Sequence, residues 1–279
     1  MRLTGGLIVV ALAVGLVGCS GPADAHDSAR YDAMLAVEEV PGVLVAPYEH
    51  YVQVDPAAPA EEIVETALGV RTILDALGAD RPRNIEFVAV YPGDGTVYTR
   101  FTTRVYGDAD RFERDVRIWA GLLDEGFSSV RYNVFDEAGD GVLNVHSDEP
   151  GESSTTMGKV FDAMIGALGD DAASFTGLQT EAIVDGMRVT NRSGDPALPA
   201  GWEDALADVA GSPYIAKSVA TFEPGTTTLR LTGGVDLTAE QAAEVVAALA
   251  GRGVLQPTVS VTYGTGGDAA RTTLYGAAQ

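Results

Sequence analysis

Three histidines, His26, His50 and His146, are the only imidazoles the chain offers for acid–base chemistry near neutral pH. A Ser-His-Asp hydrolase needs one of them within hydrogen-bond reach of a nucleophile, with a carboxylate behind it. His26 lies in an alanine- and acid-rich stretch, His50 in an expected first strand and His146 at the end of another. None stands beside a recognised nucleophile, and the Gly-x-Ser-x-Gly turn of α/β-hydrolases is absent. Surface or strand-end positions account for all three, so no catalytic residue is assigned. Carboxylates pose the opposite problem, because forty Asp and Glu leave too many pairs for spacing to single out a glycosidase couple. The run Asp136 to Gly141 has the acids and glycine of a calcium loop, but Ala138 fills its third position and Ser147 its twelfth. A hairpin turn explains it better. With no His-x-x-x-His pair, Walker loop or Gly-x-Gly-x-x-Gly motif, neither a metal nor a cofactor is expected.

Cys19 is the only thiol. In an exported protein a single cysteine has no internal disulfide partner and is either left free or put to another use. Before it come Arg2 and an apolar run from Leu7 to Val17, too short for the roughly 20 residues of a spanning helix and built like an export signal. The tetrad Leu16, Val17, Gly18, Cys19 closely resembles the bacterial lipobox. That resemblance implies a lipoprotein: diacylglyceryl transfer to the Cys19 thiol, cleavage between Gly18 and Cys19, and a membrane partner through the anchor. Two acyl chains hold stably where one is marginal. The expected location is the extracytoplasmic face of the cell membrane, and the Ala, Gly, Val, Asp and Arg richness suits a high-GC genome of actinobacterial type.

The formal charge is −22, and removing the signal, which takes Arg2 with it, makes it one unit more negative. Such a field repels phosphate backbones and anionic headgroups, so nucleic acid is excluded as a partner. Basic residues are scattered along the chain, with only Lys159 and Lys217 as lysines, and a continuous basic face is not expected. Solubility is the simplest use of the acidity and cation binding the sharper one.

The positioning elements follow from periodicity. Residues 1–18 read as the signal, 19–42 as the lipidated cysteine and a flexible tether, 43–149 as one α/β domain and 150–279 as a second. Apolar spacings predict helices over Ala60–Leu77 and Asp110–Asp124, the second carrying Trp119 on the face of Val116 and Leu123. Strands are predicted over Tyr48–Val54, Ile85–Tyr91, Thr96–Tyr106, Val130–Phe135 and Val142–His146, with turns at Gly93 to Gly95 and Gly139 to Gly141. This βαββαβ order is the split-βαβ, ferredoxin-like arrangement. In the second half helices are expected over Thr155–Leu168, over Gly201–Ala210 with Trp202 near its start, and after a capping box at Thr238 and Gln241. Leu178–Asn191 reads as extended, and strands as Ile215–Phe222, Thr226–Val235, Thr258–Tyr263 and Arg271–Tyr275. A weak repeat pairs Val54-Asp55 and the helix from Ala60 with Val235-Asp236 and the helix from Ala239.

The stretch from Thr228 through the capped helix and Leu249 to Val261, a strand, a glycine, an apolar residue, a helix and a strand, resembles a BON domain. That resemblance implies a small envelope α/β module that binds phospholipid or other envelope surfaces, although the basic residues for headgroups are missing. The expected fold is therefore α+β: two ferredoxin-like or BON-like sandwich units, helices packed on mostly antiparallel sheets. The expected function is a lipid-anchored, non-enzymatic envelope protein that binds another envelope protein or polymer. A small-molecule or cation-binding lipoprotein is the alternative, and a hydrolase comes third.

Overall fold

A computed structural model describes residues 24–48, 50–91, 98–104, 108–135, 140–148, 153–185, 187–198, 201–210, 212–224, 226–233, 237–250, 258–263 and 270–275. The lipobox and the glycine turn at 93–95 lie outside these residues, as do residues 136–139 of the acidic loop. The protein is mixed α+β, and one helix followed by one hairpin recurs along the whole chain. The units are α1 (Asp24–Glu38) with β1 (Val43–Tyr48) and β2 (Tyr51–Val54); α2 (Ala60–Asp75) with β3 (Ile85–Val90) and β4 (Tyr98–Thr103); and α3 (Ala109–Asp124) with β5 (Ser129–Val134) and β6 (Gly141–Ser147). They continue as α4 (Ser153–Leu168) with β7 (Leu178–Val184) and β8 (Met187–Asn191); α5 (Trp202–Ala210) with β9 (Ile215–Glu223) and β10 (Thr226–Gly233); and α6 (Ala239–Ala250) with β11 (Thr258–Tyr263) and β12 (Ala270–Tyr275).

All the strands join one 12-stranded sheet in chain order. Each hairpin is antiparallel, and each helix from α2 to α6 carries the chain to a parallel strand next to the one it left. This departs from two ferredoxin-like or BON-like units on separate, mostly antiparallel sheets. A split βαβ crossover skips one strand position, which a third strand fills, whereas every crossover here lands on the adjacent position. Both topologies have the same order of elements along the chain. The boundary expected near residue 150 falls between β6 and α4, and β6 pairs with β7 across it from Gly141↔Leu178 to Ser147↔Val184. The two segments matched as a repeat are α2 and α6, two members of a series of six.

The helices form because their apolar stripes need the sheet. In α2, Ile63, Ala67, Val70 and Leu74 are buried, and Glu61 and Glu62 sit at the positive end of the helix dipole. The Asp108 carboxylate caps α3 by accepting from the Arg111 amide at 3.1 Å. The capping box expected at α6 is formed: the Thr238 amide donates to the Gln241 side chain at 2.9 Å and the Gln241 amide to the Thr238 hydroxyl at 3.3 Å. Sequential helices touch one another, making one layer on one face of the sheet. Alternate strand residues, among them Phe87, Phe101, Tyr132, Leu143, Val189 and Leu229, point into that layer and are buried. The centre is aromatic, with the Phe101 ring 5.7 to 6.3 Å from those of Phe87, Phe112, Trp119 and Tyr132.

The expected tether is the second departure. Asp24–Glu38 is helical and β1 follows from Val43. Ala33 and Val37 are buried against the body, and the Arg30 guanidinium donates to the Asp80 carbonyl at 3.2 and 3.3 Å. Two buried contacts in fifteen residues make a weak periodic signal, so the helix exists because of its packing.

Candidate binding face

His50 and His146 do not converge. His26 falls in the first turn of α1, the His50 ring stacks on Tyr48 at 5.8 Å, and the His146 ring meets Asp148 at 3.2 Å on β6, four strands from β2. Ser128 donates to the His146 carbonyl at 2.8 Å and leaves the ring alone. Trp119 is core, as its spacing predicts, and Trp202 is buried with its ring edge-on to Phe222 at 4.8 Å. Among the described residues no cluster of three His, Cys, Asp or Glu is arranged to hold a metal, and no helix is long and apolar enough to cross a membrane.

One buried carboxylate stands out, and it sits on the helix side. Asp115 of α3, 1% exposed, lies 3.6 Å from Arg111 Nε and 3.5 Å from Arg114 Nη2, and accepts from the Tyr132 hydroxyl at 3.3 Å. Burial pushes its carboxyl above the ordinary range, more than the two guanidiniums and the Tyr132 bond pull it down. Burial also raises the Tyr132 phenol, with Asp115 adding to the effect. Arg114 lies 4.7 Å over the Phe175 ring, so the group ties α3 to the sheet and to the turn after α4. Asp115 and Tyr132 are buried, and the Arg114 side chain is 36% exposed.

Among the described residues no helix lies over the opposite face of the sheet. Its side chains are the less buried half of each strand's alternation, polar for the most part with Val142, Ile183 and Val219 among them, and register aligns them in rows. One row runs Arg100, Arg131, Asn144, Glu181, Thr190, Thr221 across six strands. Glu181 accepts from the Asn144 amide and, at 3.0 Å, from the Thr190 hydroxyl, with Arg188 at 3.7 Å. Glu86 pairs with Arg100 at 3.7 Å, and Arg192 bridges Gln179 at 2.7 Å and Glu223 at 3.7 Å. A shallow hollow of about 320 Å³ lies beside Gln179, Arg192 and Phe135 at the margin of this face, and an apolar one of about 210 Å³ lies on the helix side between α5 and α6.

The strands and three of the helices differ in charge balance. The strands carry Arg100, Arg131, Arg188, Lys217 and Arg230 against Glu86, Glu181 and Glu223. Helix α2 has Glu61, Glu62, Glu65 and Asp75 against Arg71, while α5 and α6 have carboxylates and no basic residue. The helices carry basic residues too, Arg30, Arg71, Arg111, Arg114, Arg117 and Lys159, so the basic residues stay divided between the helix layer and the strands. Compared with family models, curated proteins and solved structures, the chain matches none.

Proposed function

We propose that this protein is a lipid-anchored extracytoplasmic scaffold, held through a diacylglyceryl group on Cys19, that binds an acidic envelope polymer on its open sheet face without catalysing a reaction. The observation that carries the reading is the excess of basic over acidic side chains on the uncovered face of a strongly acidic protein. Arg100 and Arg131 are cross-strand neighbours there, with Glu86 at 3.7 Å from Arg100. Guanidiniums interleaved with Asn144, Gln179, Thr190 and Thr221 suit a chain of carboxylates and hydroxyls, since the forks take the anions and the neutral groups the hydroxyls. The acidic helices lie about 10 Å behind the sheet. At physiological salt the screening length is about 8 Å, so a bound polymer feels the near face more than the far one.

The test is titration of the mature protein with polygalacturonate, with neutral dextran as control. Binding to the polyanion alone is expected, strongest at intermediate salt: at low salt the whole-molecule charge repels, and at high salt the local attraction is screened. The double variant Arg131→Gln/Arg230→Gln should weaken it about tenfold, the loss of two charge-assisted contacts of about 0.7 kcal/mol each. Equal binding of dextran, or an unchanged double variant, would overturn the reading.

A further inference from the structure

We propose that the first unit, α1 with β1, is seated in the surface of the membrane that holds the lipid anchor, so that the row of strands stands outward from it. This rests on the anchored reading of Cys19 and adds a contact to it. Seven large hydrophobic side chains are exposed among the described residues, and five of them, Tyr31, Leu35, Leu44, Val45 and Tyr48, fall within this one unit, each between 42% and 61% exposed. Tyr31 and Leu35 are four apart on α1, away from the Ala33 and Val37 stripe that packs on the body. Leu44, Val45 and Tyr48 lie on β1, the edge strand, whose pairing with β2 shifts register twice. A stacked-repeat protein normally covers its terminal unit with a polar cap, and this end has an apolar surface instead.

Chain length says what covers it. In the processed protein only Ser20, Gly21, Pro22 and Ala23 separate Cys19 from α1, too few to fold over the patch. Five residue steps span at most about 17 Å. Tyr31 lies roughly 10 Å and Leu35 roughly 17 Å along the helix from Asp24. The acyl chains therefore hold this unit beside the bilayer at high effective concentration, where even weak partitioning is enough. Tyrosine with aliphatic neighbours is interfacial chemistry. Asp32, Glu38 and Glu39 flank the patch, so zwitterionic lipid suits it and anionic lipid weakens it. At about 4.8 Å per strand, β12 then stands on the order of 50 Å from β1, with the open face turned sideways into the envelope.

The test uses lipidated full-length mature protein in phosphatidylcholine vesicles. With Cys19 acylated, Leu44→Cys or Thr232→Cys supplies the only free thiol for an environment-sensitive dye. Brominated lipid should quench the dye at 44 several-fold more than at 232, and Leu35→Glu/Tyr48→Glu should abolish that difference while the protein stays vesicle-bound. Equal iodide access at both positions in protein of verified lipid mass overturns the seating and leaves the anchor standing. Protection at 44 without lipid quenching also overturns it, in favour of a second copy on the patch. A mass lacking the diacylglyceryl group overturns the anchor itself.

Discussion

Replacing Phe101 by alanine tests whether the chain is held together unit by unit. Phe101 of β4 is fully buried, and its ring neighbours come from β3, α3 and β5: Phe87 at 6.3 Å, Phe112 at 6.2 Å, Trp119 at 6.1 Å and Tyr132 at 5.7 Å. A Phe-to-Ala truncation in such a core costs about 3–5 kcal/mol, and the ring pairs put this one near about 4. With a urea slope of about 2–3 kcal/mol/M, the midpoint falls by about 1.3–2 M. Two tryptophans make the readout local, since Trp119 touches Phe101 while Trp202 lies on α5 against Phe222. In urea titrations of single-tryptophan backgrounds, Trp202→Phe and Trp119→Phe, the Trp119 signal should shift by the full amount and the Trp202 signal by less, because each unit contacts only its neighbours. A shift at Trp119 below about 1.5 kcal/mol would refute the packing argument. Equal shifts at both tryptophans would refute unit-by-unit cohesion.

Two further substitutions address single residues. The raised Asp115 carboxyl makes ionisation costlier in the folded than in the unfolded state, so its stabilisation is complete below the unfolded value near about 4 and is lost as pH rises through the folded one. Asp115→Asn should lack that loss and gain stability relative to the parent between pH 4 and pH 7; the same denaturation-midpoint gap at both pH values would count against it. Gly42 has a φ of 89°, and a Cβ there would lie 2.1 Å from Thr66 Oγ1, which donates to the Pro41 or Glu62 carbonyl. Gly42→Ala should cost about 2–3 kcal/mol, with about 1–2 from backbone strain alone. Adding Thr66→Ala should recover the steric part only, and full recovery in thermal melts would show that the backbone is not strained.

Most elements were legible because each carries its own period. The α3 stripe of Phe112, Val116, Trp119 and Leu123 and the α6 capping box are local statements, and the structure repeats them within a residue or two. The single run read as extended from Leu178 to Asn191 divides into β7 and β8, since two strands meeting at a tight turn look like one apolar alternation. Helix α1 was invisible for the complementary reason: its contacts with the body rest on Ala33, Val37 and the Arg30 bond to Asp80, none of which forms a pattern by itself. The binding face had no local signal, because Arg100, Arg131, Arg188 and Arg230 come from four different strands.

From the amino acids alone come the candidate lipobox at Cys19, the acidity, the lack of a recognisable catalytic motif, and the kinds and approximate bounds of most helices and strands, for these depend on neighbours a few positions away. Tertiary structure decided that the strands make one sheet in chain order and that Arg100 and Arg131 become neighbours on its uncovered side. Where each parallel crossover lands is settled by packing between residues tens of positions apart. Alternation along a strand says only that two faces differ; which arginines become neighbours depends on strand pairing.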